Sequence, residues 1–284
     1  MGFEIGSEEH KRLLCRFFVE SHDPYKPAEP PRPDLDDAAR ARLAALPIWD
    51  EAVATEADTA LKVVTLGKVE PDPVMAEAIS MQGYEEERHA EMLRLLTKRY
   101  GIAVKERAAP VAPRNAEWSF MRVGYGECFD SFFAFGLFAL ARDSGFFPPS
   151  LVKLFDPIMQ EEARHILFHV NWIAFKRARK PALMRPAHLF QRGLAIYLQI
   201  FGRVKTAVRV GAQTHGESQD NFAMTSAQSF GDVTMRGFLE TCLAENDRRL
   251  APYDARLLRP RLAPTIARAI LAVAPKGEPV ATAA

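Results

Sequence analysis

The pattern Glu-Glu-x-Arg-His is written twice, in "YEEERHAEML" at residues 84–93 and in "MQEEARHILFHV" at residues 159–170, 76 residues apart. Each copy sits in an apolar stripe of helical period. In the first, Met75, Ile79, Gln82, Glu86, His89, Leu93 and Leu96 alternate spacings of four and three, which puts them on one helical face. Phe155, Ile158, Glu162, His165, His169 and Trp172 do the same in the second. An inward carboxylate and imidazole one turn apart are costly to bury unless paired, and a metal ion is the strongest partner available.

Such a site asks for further carboxylates from neighbouring helices. The stripe Trp49, Val53, Glu56, Ala60, Val63 supplies Glu56, and the stripe Phe120, Val123, Glu127, Asp130, Ala134, Leu137 supplies Glu127. Glu56 precedes Glu86 by 30 residues and Glu127 precedes Glu162 by 35. At about 1.5 Å rise per residue, this spacing lets two antiparallel helices bring their ligands to one level. Glu51 is the runner-up for Glu56 but lies off the stripe. With 22 Glu and 7 His in the chain, chance alone yields roughly half a Glu-x-x-His match. The weight therefore rests on register and matching flanks. The competing reading is a core salt-bridge network without metal.

The remaining sequence predicts an all-α chain, with no pair of alternating strands around a turn signal. A short helix near 7–20 leads into "SHDPYKPAEPPRPDL", an arm too rich in proline to be helical. Long helices are predicted at 36–69, 72–100, 114–144 and 149–179, broken at "EPDP", "APVAP" and "FFPPS". A fifth, at 186–212, carries Phe190, Leu194, Tyr197, Phe201, Val204 and Val208 on one face, which is expected to pack on the bundle. A Gly- and Ser-rich connection at 211–231, helices near 233–250 and 260–273, and a frayed tail complete the chain. The organisation predicted is an arm (1–35), a four-helix unit (36–180), accessory helices (181–275) and a tail (276–284).

Lys plus Arg (37) balances Asp plus Glu (36), so the net charge of +1 offers no excess field for nucleic acid or an acidic membrane. The run "KRARKP" ending the fourth helix reads as charge opposing the helix dipole. Three scattered cysteines, Cys15, Cys128 and Cys242, suggest neither disulfides nor a thiolate metal site. The most apolar window, 131–141, is too short to span a bilayer, and the expectation is a soluble, cytoplasmic chain.

Over residues 45–175 these features resemble the ferritin-like di-iron carboxylate proteins, which include ferritins, rubrerythrins, ribonucleotide reductase small subunits and bacterial multicomponent monooxygenases. The resemblance implies a four-helix bundle holding two iron ions, with manganese or a mixed pair as the variant. Its ligands would be Glu56, Glu86, His89, Glu127, Glu162 and His165, with Glu86 and Glu162 bridging. Leu93 stands where the reductase subunits place a radical-forming tyrosine, the cysteines cannot build a rubredoxin iron, and the accessory helices exceed a ferritin chain. The function implied is O2 activation on an organic substrate, with electrons from a separate donor. An apolar substrate portion is expected from Phe129, Phe132 and Phe133 and from the fifth helix. The alternatives are a ferroxidase or a dimanganese peroxide-dismutating enzyme.

Around these ligands, Asp130 is expected to hold a ligand histidine, and His169 is either an extra ligand or a hydrogen-bonded core histidine. Arg88 and Arg164 are expected to face outward. The third long helix is apolar on nearly every face and contains Gly124, Gly126 and Gly136, which implies either close packing or a local bulge beside Glu127. Cover for that helix would come from the C-terminal helices or from a homodimer.

Overall fold

Residues 3–46, 48–105, 107–213 and 233–273 are described by a computed structural model, with the backbone alone for 202–213. Most of the connection expected at 211–231 and all of the tail lie outside these residues. The described residues form nine α-helices, one 3-10 turn and no strand. They are α1 Glu8–Glu20, α2 Asp37–Ala45, α3 Trp49–Val69, α4 Pro73–Tyr100, α5 Ala116–Asp143, α6 Pro149–Arg179, α7 Arg185–Gln213, α8 Met235–Leu250 and α9 Leu262–Val273.

The long helices begin and end where capping chemistry dictates. Asp72 accepts from the backbone N–H of Val74 and Met75, and Pro73 occupies the first turn, where its missing N–H costs nothing. Gly101 closes α4 in the left-handed conformation. Asn115 caps α5 by accepting from Trp118 N–H. The helix predicted over 36–69 is instead two, α2 and α3. Leu46 is extended (φ −62°, ψ 125°) ahead of Pro47 in the sequence, because a proline ring clashes with a helical residue before it.

The helices α3 to α6 pack as a bundle, α3 along α4, α5 along α6, α3 against α5, with α1 laid across α4 and α6. Two apolar clusters fill its ends. One gathers Leu14, Phe18, Val63, Ile79, Phe120, Phe168 and Trp172, the other Leu43, Trp49, Leu96, Leu151 and Ile158. Each fully buried side chain of this size contributes roughly 1.5–3 kcal/mol relative to exposure.

Two of the three glycines of α5, Gly124 and Gly136, are explained by close packing. The helix is α-helical throughout with no bulge, which corrects that alternative. A Cβ on Gly124 would overlap the His169 ring of α6, and one on Gly136 would overlap Cys242 of α8. By length and composition α5 could cross a membrane, a longer span than the 131–141 window. Here it is a core helix covered by α6, α8 and α9. Phe129 and Phe132 pack with Phe238, Leu239 and Ala263 of α8 and α9 in a third apolar cluster.

Helix α7 departs from expectation in the opposite sense. Phe190, Leu194, Tyr197 and Phe201 are exposed, and the bundle is touched instead through Ala195 and His188, which are buried. Val204 and Val208 lie among the residues described by backbone alone.

Candidate metal centre

Four helices deliver the six side chains to one place. Glu56, Glu86, His89 and Glu162 each offer one ligand atom within 4.8 Å of the others, and Glu86, Glu127 and His165 do likewise. Glu86 belongs to both groups, while Glu162 Oε1 lies 3.2 Å from His89 Nδ1 and 3.7 Å from His165 Nδ1. His165 Nδ1 is 2.9 Å from Glu86 Oε1, and the two imidazole centroids are 5.6 Å apart. Glu51 is excluded: it sits exposed on α3 and pairs with Arg107 at 2.9 Å.

Both imidazoles turn Nδ1 into the cluster because Nε2 is held from outside. His89 Nε2–H donates to Glu161 Oε2 at 2.7 Å, and His165 Nε2–H donates to Glu85 Oε2 at 2.9 Å. The acids are the first Glu of each motif, and each serves the histidine of the other motif. The arginines complete this exchange. Arg164 donates to Glu85 at 2.9 Å and Arg88 to Glu161. Both arginines are buried, which corrects the outward placement. Two residues past the motif's inner Glu the helix has turned by about 200°, so each arginine points away from the centre and is buried because the N-terminal arm and the first Glu of the other motif cover that side. The N-terminal arm then seals the shell. Arg88 donates to the carbonyls of Asp23 and Tyr25, Arg164 to that of Phe18, and His22 Nδ1 lies 2.5 Å from Glu85 Oε1.

Asp130 is exposed and does not face the cluster. The inward row of α5 continues from Glu127 by four residues, to Ser131, whose hydroxyl donates to Glu162 Oε2 at 3.2 Å. Period and register alone assign no role to Glu85, Glu161 or Ser131. The repetition of the first Glu and of the Arg in both motifs was the available signal.

The electrostatics follow from four carboxylates crowded around two imidazoles. Burial pushes the Glu56 carboxyl up to about 7, against the attraction of the neighbouring His89 imidazole. Burial also raises Glu127 far above the carboxylate range, helped by the charges of Glu86 and Glu162. Burial works the same way on Glu162 but is outweighed by His89 and His165, leaving it lowered. Both histidines are driven up by their surrounding carboxylates despite burial. Burial likewise acts to raise Glu85, yet His165 and Arg164 bring it down to about 2, so it stays an acceptor.

The fit to a metal pair is visible in unpartnered atoms. Both oxygens of Glu127, Nδ1 of His89 and of His165, and Oε1 of Gln82 are buried without a hydrogen-bond partner among the described residues. Buried polar atoms are normally satisfied, and those of Glu127, His89 and His165 belong to the two ligand groups that share Glu86. Carboxylate oxygen and imidazole nitrogen form a donor set suited to iron or manganese.

His169 stands apart from both metal-ligating groups. Its two nitrogens have no partner among the described residues, and Phe120, Tyr125 and Trp172 surround the ring. Neither expected role fits, and the ring instead fills the notch at Gly124. Burial pulls its imidazole down to about 3 from 6.5. Above pH 6.5 the ring is neutral in both folded and unfolded chains and adds no pH dependence. Below it the unfolded chain takes up the proton first, so stability falls by about 1.4 kcal/mol per pH unit toward pH 3. Urea unfolding at pH 6 and pH 4, inside that window, should show a slope smaller in His169→Phe than in the parent by about that amount per unit. Parallel slopes in the two proteins would refute the assignment.

Comparison of the chain with protein families, with curated proteins and with solved structures yields no match, so the site is read from its own residues.

Proposed function

We propose that this chain is an oxygen-activating oxidoreductase built on a ferritin-like bundle, with two iron or manganese ions held by Glu56, Glu86, His89, Glu127, Glu162 and His165. The observation that carries this reading is the convergence of two Glu-x-x-His pairs and two further carboxylates, with both Nδ1 atoms turned inward. Iron or manganese bound there would supply the electrons that reduce O2.

The protein's own part is positional. Glu85 and Glu161 hold the Nε2–H of each histidine and thereby fix which nitrogen faces the centre. Ser131 orients Glu162. Glu56 is about one-fifth exposed, at 21% of its side chain, and is the most accessible of the ion-paired acids at the centre. Two surface clefts, of about 340 and 420 Å³, contain none of the six ligands. A separate protein donor would supply reducing equivalents.

The test is anaerobic loading with Fe(II) followed by O2. The parent should consume O2 in proportion to bound iron, and Glu86→Ala should not. Repeated oxidation of excess Fe(II) with ferric accumulation would mark a ferroxidase, and peroxide dismutation by the manganese form would mark the third reading. Iron bound without O2 consumption would sink the proposal.

A further inference from the structure

Helix α7 is amphipathic with its apolar face turned away from the protein. Phe190 is 72% exposed, Tyr197 60% and Phe201 53%, and Leu194 lies between them on the same face. Just ahead of the helix, Leu183 and Met184 are exposed as well. Side chains of this kind scattered singly need no explanation, but a continuous apolar row along a surface helix marks an interaction site. Tyr197 and Phe201 stack on one another with centroids 5.9 Å apart, forming a flat aromatic ridge.

Charge narrows the choice of occupant. Residues 185–213 contain Arg185, Arg192, Arg203, Lys205 and Arg209 and no Asp or Glu. The chain's net charge of +1 therefore conceals a strongly segregated cationic segment. A second copy seated on this face by a two-fold axis would set like charges against each other. An apolar row with aromatic residues on a helix that carries only cations is the composition of a helix lying in the plane of a membrane interface. Arginine and lysine stems can lie along the apolar zone while their heads reach phosphate.

We infer that α7 docks this protein peripherally on an anionic phospholipid surface, with Phe190, Tyr197 and Phe201 entering the headgroup boundary. This surface is independent of the metal centre, and neither reading depends on the other. No membrane-crossing segment is involved. The negative surface of a cytoplasmic leaflet supplies the matching charge.

Flotation of the full-length chain with vesicles tests this directly, using phosphatidylcholine alone and phosphatidylcholine with roughly one-third phosphatidylglycerol. Recovery with the anionic vesicles should be at least about tenfold higher and should fall on raising salt. Phe190→Glu with Tyr197→Glu should abolish it. Lys205→Glu with Arg209→Glu, which spares the apolar row, should weaken it. Absence of binding to either vesicle, or equal binding to both, would overturn the inference. So would a dimer in solution that Phe190→Glu with Tyr197→Glu dissociates, since the face would then be a self-interface.

Discussion

Glu85→Ala is expected to lose about 3–5 kcal/mol of stability and to weaken metal binding by about 10–100-fold, although Glu85 lies outside both ligand groups. The substitution strips a single carboxylate from three donors at once. Arg164 is left as a buried guanidinium without its counter-charge, His165 loses the acceptor that holds Nε2–H, and His22 loses its contact. Glu161→Ala should behave alike through Arg88 and His89. Stability and positioning can be separated in one further variant. Glu85→Ala combined with Arg164→Met removes both charges, so much of the stability should return. Metal affinity should not, because His165 still lacks its acceptor. Urea unfolding and metal titration on the three proteins read the two effects independently. If the double variant regained metal affinity along with stability, Glu85 would be only a partner for arginine.

Gly124→Ala is the second large effect, and its sign runs against helix propensity. Alanine in a helix interior ordinarily gains up to about 1 kcal/mol over glycine. At Gly124 the new methyl would overlap Nδ1, Cε1 and Cγ of His169. That ring is fully buried against Phe120, Tyr125 and Trp172 and has nowhere to swing. A loss of about 3 kcal/mol is expected, at the upper end of overpacking costs. Gly193→Ala is the control: it is exposed on α7 with nothing within 4 Å of a Cβ, and it should be neutral or slightly stabilising. His169→Ala placed in the Gly124→Ala background should recover part of the loss. Thermal unfolding of these variants decides it, and Gly124→Ala at or above parental stability would remove the notch from the account.

What could be read from the sequence depended on how local the responsible physics is. The ends of α4, α5 and α6 were legible because Asp72, Gly101, Asn115 and the prolines act within a turn of themselves. The six side chains that meet at the centre were legible because period and register carry across helices. Asp130 was misplaced because three- and four-residue steps both approximate 3.6, and only packing decides that Ser131 takes the inward place. Arg88 and Arg164 were misplaced for a different reason. A buried arginine is stable only with its partner, and that partner lies on another helix, 73 residues away for Arg88 and 79 for Arg164. The apolar row of α7 was visible, but periodicity says only that a face is apolar. It does not say which way the face turns.

The most direct test of the central claim is to count metal. Protein purified without chelators, or loaded anaerobically with Fe(II) or Mn(II), should hold about two ions per chain. Glu86→Ala should lose both, because Glu86 is the one side chain common to the two ligand groups. A parent that binds no iron or manganese under either condition would contradict the account, and would leave the paired Glu-Glu-x-Arg-His motifs as a buried ion-pair network that holds four helices together.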